Sequence, residues 1–178
     1  MFYVVKVAAN EVKNIADHAL VTKYNPYLVT YRDNPELTTF DMLDLSKYDI
    51  YAAVDGSDSS IVGLIAGRHD FLDTGDKDAG YIEGYRIDIF SIDETLTTTY
   101  DTASVKNMAS HLLRSFCANK TAYYIFMQFS KRITDTEITP ETKYALTVNE
   151  FSPVVRTTDN HTYYLRNPRQ ARMQAFYN

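Results

Sequence analysis

Residues 81–129 constrain this chain more than any other part of it. The run Tyr81–Ile92 (YIEGYRIDIFSI) reads as a strand, and a polar turn follows it. Val105, Met108, Ala109, Leu112, Leu113, Phe116 and Cys117 then recur at the spacing of one helical face, with Lys106, Asn107, Ser110, His111 and Arg114 between them. That spacing predicts a helix over 103–118, capped by Asp101, Thr102 or Ser104. A second apolar run, 122–129, reads as the next strand. Two strands joined by one helix pair in parallel through a right-handed crossover. Open sheets of this kind take ligands beyond the carboxyl ends of their strands, and a helix N-terminus there suits a phosphate.

The rest of the chain supplies antiparallel partners. Residues 2–8 read as a first strand, β-branched and aromatic. Asn10 can cap a helix with Val12, Ile15, Ala16, Ala19 and Leu20 on its apolar face, and Asn34-Pro35 opens a short second helix carrying Leu37, Phe40 and Leu43. Residues 49–54 and 61–67 form a hairpin around Asp55–Ser60, and 70–80 read as an exposed acidic loop. Thr139-Pro140 opens a helix to about 148, and 151–155 with 161–165 close as a strand pair around Asp159-Asn160. The expected class is therefore α/β, with a mixed, largely antiparallel central sheet and helices on both faces. We expect one domain over 1–165 and a basic tail over 166–178.

Composition excludes several alternatives. The single Cys117 cannot form an internal disulfide or a cysteine-based zinc cluster, and its place on the apolar helix face suits an inert core thiol. His18, His69, His111 and His161 show no metal-ligand spacing, and the aspartates of 70–80 do not fit a calcium loop, so no metal is expected. No apolar run approaches the roughly 18 residues that span a bilayer, and the first residues lack the pattern of a signal peptide, so a cytoplasmic protein with no membrane partner is expected. Acids heavily outnumber bases between Asp41 and Thr102, which would steer a cationic ligand, whereas Arg156, Arg166, Arg169 and Arg172 make the C-terminal part basic.

This order of elements resembles the GNAT superfamily of acyl-CoA-dependent N-acetyltransferases. The hairpin 50–66 looks like the family's second and third strands, and Ile61-Val62-Gly63 matches their frequent apolar-Val-Gly entry. Residues 104–113 (SVKNMASHLL) lie where the family has R/Q-x-x-G-x-G/A followed by a leucine pair. Ala109, Leu112 and Leu113 fit, whereas Ser104 replaces the Arg or Gln and Asn107 the first Gly. The turn from Ile92 to Ser104 is also longer than the family's.

The resemblance implies acetyl-CoA as co-substrate and an amine as acceptor: a polyamine, an aminoglycoside, or a lysine or N-terminal amine. Backbone groups of Phe90, Ser91 and Ile92 would pair with the pantetheine arm, and the helix start at Ser104, Val105, Asn107 and Ala109 would hold the pyrophosphate. Tyr144 matches the element that carries the leaving-group acid. Glu83 and Asp88 lie where the family places its base; being five apart on a strand, they point to opposite faces. His69, beside Asp70, is a further candidate base. The alternative function is a chain of this fold that has lost catalysis and acts by binding a protein or nucleic-acid partner. The basic tail could touch nucleic acid or cross to a second copy of the chain as a homodimer.

Overall fold

The computed structural model describes residues 1–8, 10, 11, 15, 20, 47–73, 78, 80–129, 138–156 and 161–169. Within these the strands are β1 (Phe2–Lys6), β2 (Asp49–Asp55), β3 (Ile61–Asp73), β4 (Tyr81–Ile92), β5 (Tyr124–Phe129), β6 (Ser152–Arg156) and β7 (His161–Arg166). Two helices, α1 (Thr102–Cys117) and α2 (Pro140–Val148), accompany a single helical turn, Leu96–Thr99. The strands form one sheet in the order β1-β2-β3-β4-β5-β7-β6. Only β4 and β5 run parallel, joined by α1; every other neighbouring pair among the described strands is antiparallel. This is the mixed, largely antiparallel sheet the element order predicts.

Helix α1 forms where the apolar spacing places it. Asp101 is its N-cap, and Val105, Met108, Ala109, Leu112, Leu113, Phe116 and Cys117 are all buried. Each large side chain among them contributes about 1.5–3 kcal/mol by leaving water. Beyond the helix C-terminus, Lys120 is buried and donates from Nζ to the Phe116 carbonyl at 2.9 Å and to Asn119 Oδ1 at 2.9 Å. The same ammonium lies 3.2 Å from Asp49 Oδ2, which ties the end of α1 to the start of β2. Helix α2 starts at Pro140 behind its cap Thr139, and Ala145 and Leu146 join α1 in one core cluster with Ile65, Ile87 and Phe90.

The opposite face of the sheet carries a separate cluster. Ile15 and Leu20 pack there on Ile50, Ala52, Leu64, Ala66 and Ile89. Apart from Ile15 and Leu20, the apolar face expected for the first helix lies outside the described residues, as do the whole second helix, the Asp159-Asn160 turn and most of the tail. No helix among the described residues is long and apolar enough to cross a membrane.

One element differs from expectation. Asp70–Asp73 belong to β3, pairing with Tyr81–Gly84 of β4, rather than to an acidic loop. The β3–β4 hairpin extends beyond the first row of β5, so Phe71 and Tyr81 are left exposed and acidic residues fit there as strand.

Candidate functional site

β4 pairs with β3 along its whole length, but with β5 only at Gly84, Tyr85 and Arg86. From Ile87 to Ile92 the β5-facing edge of β4 has no partner strand among the described residues. β5 meanwhile keeps its register with β7 from Ile125 to Phe129. The two central parallel strands thus meet at one end and part towards their carboxyl ends.

Two local features set this shape. At Gly84 an added Cβ would lie 2.1 Å from the Tyr124 carbonyl oxygen, so only glycine allows β5 this close. At Asp88 the ladder carries an extra residue: Ala66 faces Ile89, Gly67 faces Ile87, and Asp88 has no opposite number. Such a bulge bends its strand, here two residues past the last β4–β5 pair.

Beyond the carboxyl end of β4 lies a cleft of about 280 Å³. Ile92, Asp93, Glu94 and Thr97 line one side, Val105 its floor, and Thr139, Pro140 and Glu141 the other. It lies between the end of β4 and the first turns of α1 and α2. Asp93 Oδ1 accepts from the Thr95 amide at 2.9 Å and from its hydroxyl at 2.8 Å, which fixes the turn at the mouth.

The start of α1 is held by its own chain. Asp101 Oδ1 accepts from the Ser104 amide at 2.8 Å, and Oδ2 accepts from the Ser104 hydroxyl at 2.8 Å. Those two bonds hold the Asp101 carboxyl below its ordinary pKa, so it is a fixed negative charge at the helix N-terminus. A phosphate drawn to this end meets that charge.

The sequence-predicted residues separate in space. Ile92 and Val105 line the cleft. Phe90 and Ser91 are buried in β4 just before it, and Ala109 is buried under α1. Ser104 and Asn107 line a different groove of about 310 Å³, with Phe2, Val4, Tyr100 and His111. Tyr144 is part-exposed; its hydroxyl lies 3.5 Å from Asn107 Oδ1 and its ring 5.9 Å from the Lys106 ammonium, and it is not among the residues lining the cleft.

Glu83 and Asp88 do face opposite sides of the sheet. Glu83 lies on the row before β5 begins and pairs with His69 Nε2 at 2.6 Å, towards the strand end remote from the cleft. Asp88 is buried and accepts from Arg86 Nε at 2.7 Å, Arg86 Nη2 at 3.1 Å and the Tyr48 hydroxyl at 2.5 Å. Six cleft residues are not among the sequence-predicted site residues: Asp93, Glu94, Thr97, Thr139, Pro140 and Glu141. Their only signal is position, at the end of a strand and the start of a helix.

No family model matches this sequence, and no curated protein matches it. Solved structures do share its fold. An acetyltransferase structure of the GNAT family from Desulfovibrio desulfuricans superposes with a TM-score of 0.56 at 11% identity, covering 94% of this chain and 99% of that one. FeeM, an N-acyl amino acid synthase from uncultured soil microbes, gives 0.55 at 12% identity over 98% and 94%. The toxin AtaT bound to the C-terminus of its antitoxin AtaR gives 0.52 at 10% identity over 99% of both chains.

Proposed function

We propose that this chain, which has the fold of the GNAT acetyltransferases, binds acetyl-CoA in the cleft where β4 parts from β5 and transfers the acetyl group to a primary amine. The observation that carries the proposal is the parting itself. Among the described residues it leaves the β5-facing edge of β4 past Arg86 without a partner strand, a place where an extended amide-bearing arm can pair as an added strand would.

The chemistry asks little of the protein beyond position. The amine nitrogen attacks the thioester carbonyl carbon, the C–S bond breaks, and the nitrogen gives up a proton. A thiol has a pKa near 8.5, so the departing sulfur is a stable leaving group without a dedicated acid. Holding the two reactants in line supplies the larger part of the acceleration. The amine proton leaves to water; Glu141, half-buried in the first turn of α2, lines the cleft at the Ile92 end of the parted edge. Asp88 has both carboxylate oxygens engaged, Glu83 lies at the far end of the hairpin, and the Tyr144 hydroxyl is turned to Asn107. The proposal assigns none of these three the proton.

Electrostatics make this an unusual site for a polyanion. Asp93, Glu94 and Glu141 line the cleft, and Asp101 caps the adjoining helix. In this reading affinity comes from the pantetheine arm, and the same carboxylates draw in a cationic amine. The test is release of free thiol from acetyl-CoA by the full chain with primary amines, using tertiary amines as controls. Amine-dependent release supports the proposal. The absence of both thiol release and acetyl-CoA binding would overturn it and leave the fold as a scaffold for a partner.

A further inference from the structure

The sheet face opposite α1 changes character along β3 and β4. Leu64, Ala66 and Ile89 belong to the apolar cluster under Ile15 and Leu20. Around the last β4–β5 rows that face turns polar, with Arg68 and Asp70 on β3 and Arg86 and Asp88 on β4. Tyr48 reaches the same place through its hydroxyl bond to Asp88.

The charges there are unequally matched. Arg86 engages both carboxylates, Asp88 through Nε and Nη2 and Asp70 through Nη1. Arg68 is the residue directly opposite Arg86 in the ladder, an arrangement of like charges that costs stability. It forms no ion pair with a carboxylate among the described residues. Its guanidinium lies 5.9 Å from the centre of the Tyr48 ring, and its Nε is buried with no hydrogen-bond partner among the described residues. Arginine cannot shed its proton, and a buried donor without an acceptor costs free energy. A planar fork in such a place matches a carboxylate in two-point contact.

Position sets this fork beside the start of the parting. Arg68, Arg86 and Phe126 form the last row across β3, β4 and β5 before the strands part. With strands about 4.8 Å apart, the Arg68 backbone stands about 10 Å from β5, within the length of one small molecule.

We infer that Arg68 receives the carboxylate of the acceptor, so that the amine acetylated by this chain belongs to a free amino acid. This rests on the acyl-transfer reading and narrows its acceptor class.

Matched acceptors test it: tyrosine against tyramine, lysine against cadaverine, leucine against isoamylamine, each with acetyl-CoA and the full chain. The amino acid of each pair should have a kcat/KM at least about tenfold higher, the worth of a hydrogen bond to a charged group. Arg68→Gln should remove that preference by raising KM for the amino acids, and Arg68→Lys should restore part of it. Titration of the variants with acetyl-CoA reports whether they remain folded. Equal or better transfer to the plain amines, or a preference that survives Arg68→Gln, overturns the inference and leaves acyl transfer standing. If nothing is acetylated, acyl transfer falls, and calorimetry with the same amino acids decides Arg68 alone. Binding lost in Arg68→Gln upholds the carboxylate site, and no binding to the unaltered chain overturns it.

Discussion

Arg86 of β4 and Phe126 of β5 are the last residues to pair before these two strands separate. Two residues earlier, Gly84 faces Tyr124 so closely that a Cβ would stand 2.1 Å from its carbonyl oxygen. Gly84→Ala must push β5 away or tilt it. It should destabilise the chain by about 1–3 kcal/mol, the usual cost of overpacking, read as a lower urea midpoint. An unchanged midpoint would mean that β5 does not approach β4 at this residue.

Asp88 lies buried beneath the same parting, with Arg86 and Tyr48 on its oxygens. Arg86→Met strips a buried carboxylate of its charge partner and should cost about 3–5 kcal/mol. Adding Asp88→Leu to that variant removes the orphaned charge and should recover much of the loss. Urea unfolding of the two variants checks both steps, and a double variant no more stable than the single one would contradict the account.

Asp101 should oppose the ligand it adjoins. Asp101→Asn keeps an N-cap side chain but removes its charge from the end of α1. Acetyl-CoA should then bind about two- to fivefold more tightly, the scale of one charge at a helix terminus. Added salt should narrow the difference, because screening weakens the repulsion in the unaltered chain. Calorimetric titration at two salt concentrations measures both effects, and weaker binding by Asp101→Asn would contradict them.

Three tyrosines set the alkaline limit of stability. Burial and then the Asp88 charge push the Tyr48 hydroxyl above 10.0; burial and Asp49 raise Tyr85; the hydrogen bond to Asp55 raises Tyr100. Their folded values exceed the unfolded one, so their contribution is whole below pH 10 and is lost as pH rises through the folded values. Lys120 works in the other direction. Burial lowers it from 10.5, so folding releases a proton there and stability rises with pH between its folded value and 10.5. Urea midpoints from pH 9 to 12 should fall above pH 10, and Tyr48→Phe should flatten that fall.

The crossover was legible because two different periods met in it, two in Tyr81–Ile92 and 3.6 in Val105–Cys117. Parity alone placed Glu83 and Asp88 on opposite faces, and the bulge falls at Asp88 itself, so it leaves that count intact. The insertion of β7 between β5 and β6 has no local signature, because strand order is fixed by pairing between distant segments. The same holds for the cleft. Asp93 and Glu141 stand 48 positions apart in sequence and meet only because β4 ends where α2 begins. The spacing offered three caps for α1, and the Ser104 amide selects Asp101.

Amide hydrogen exchange with and without acetyl-CoA tests the central claim most directly. If the arm lies along the parted edge of β4, acetyl-CoA should slow exchange within Ile87–Ile92 and at the first turn of α1, and leave β1 and the groove at Tyr100 unchanged. Slowed exchange at Phe2, Tyr100 and Asn107 without any at β4, or no slowing at millimolar acetyl-CoA, would contradict it.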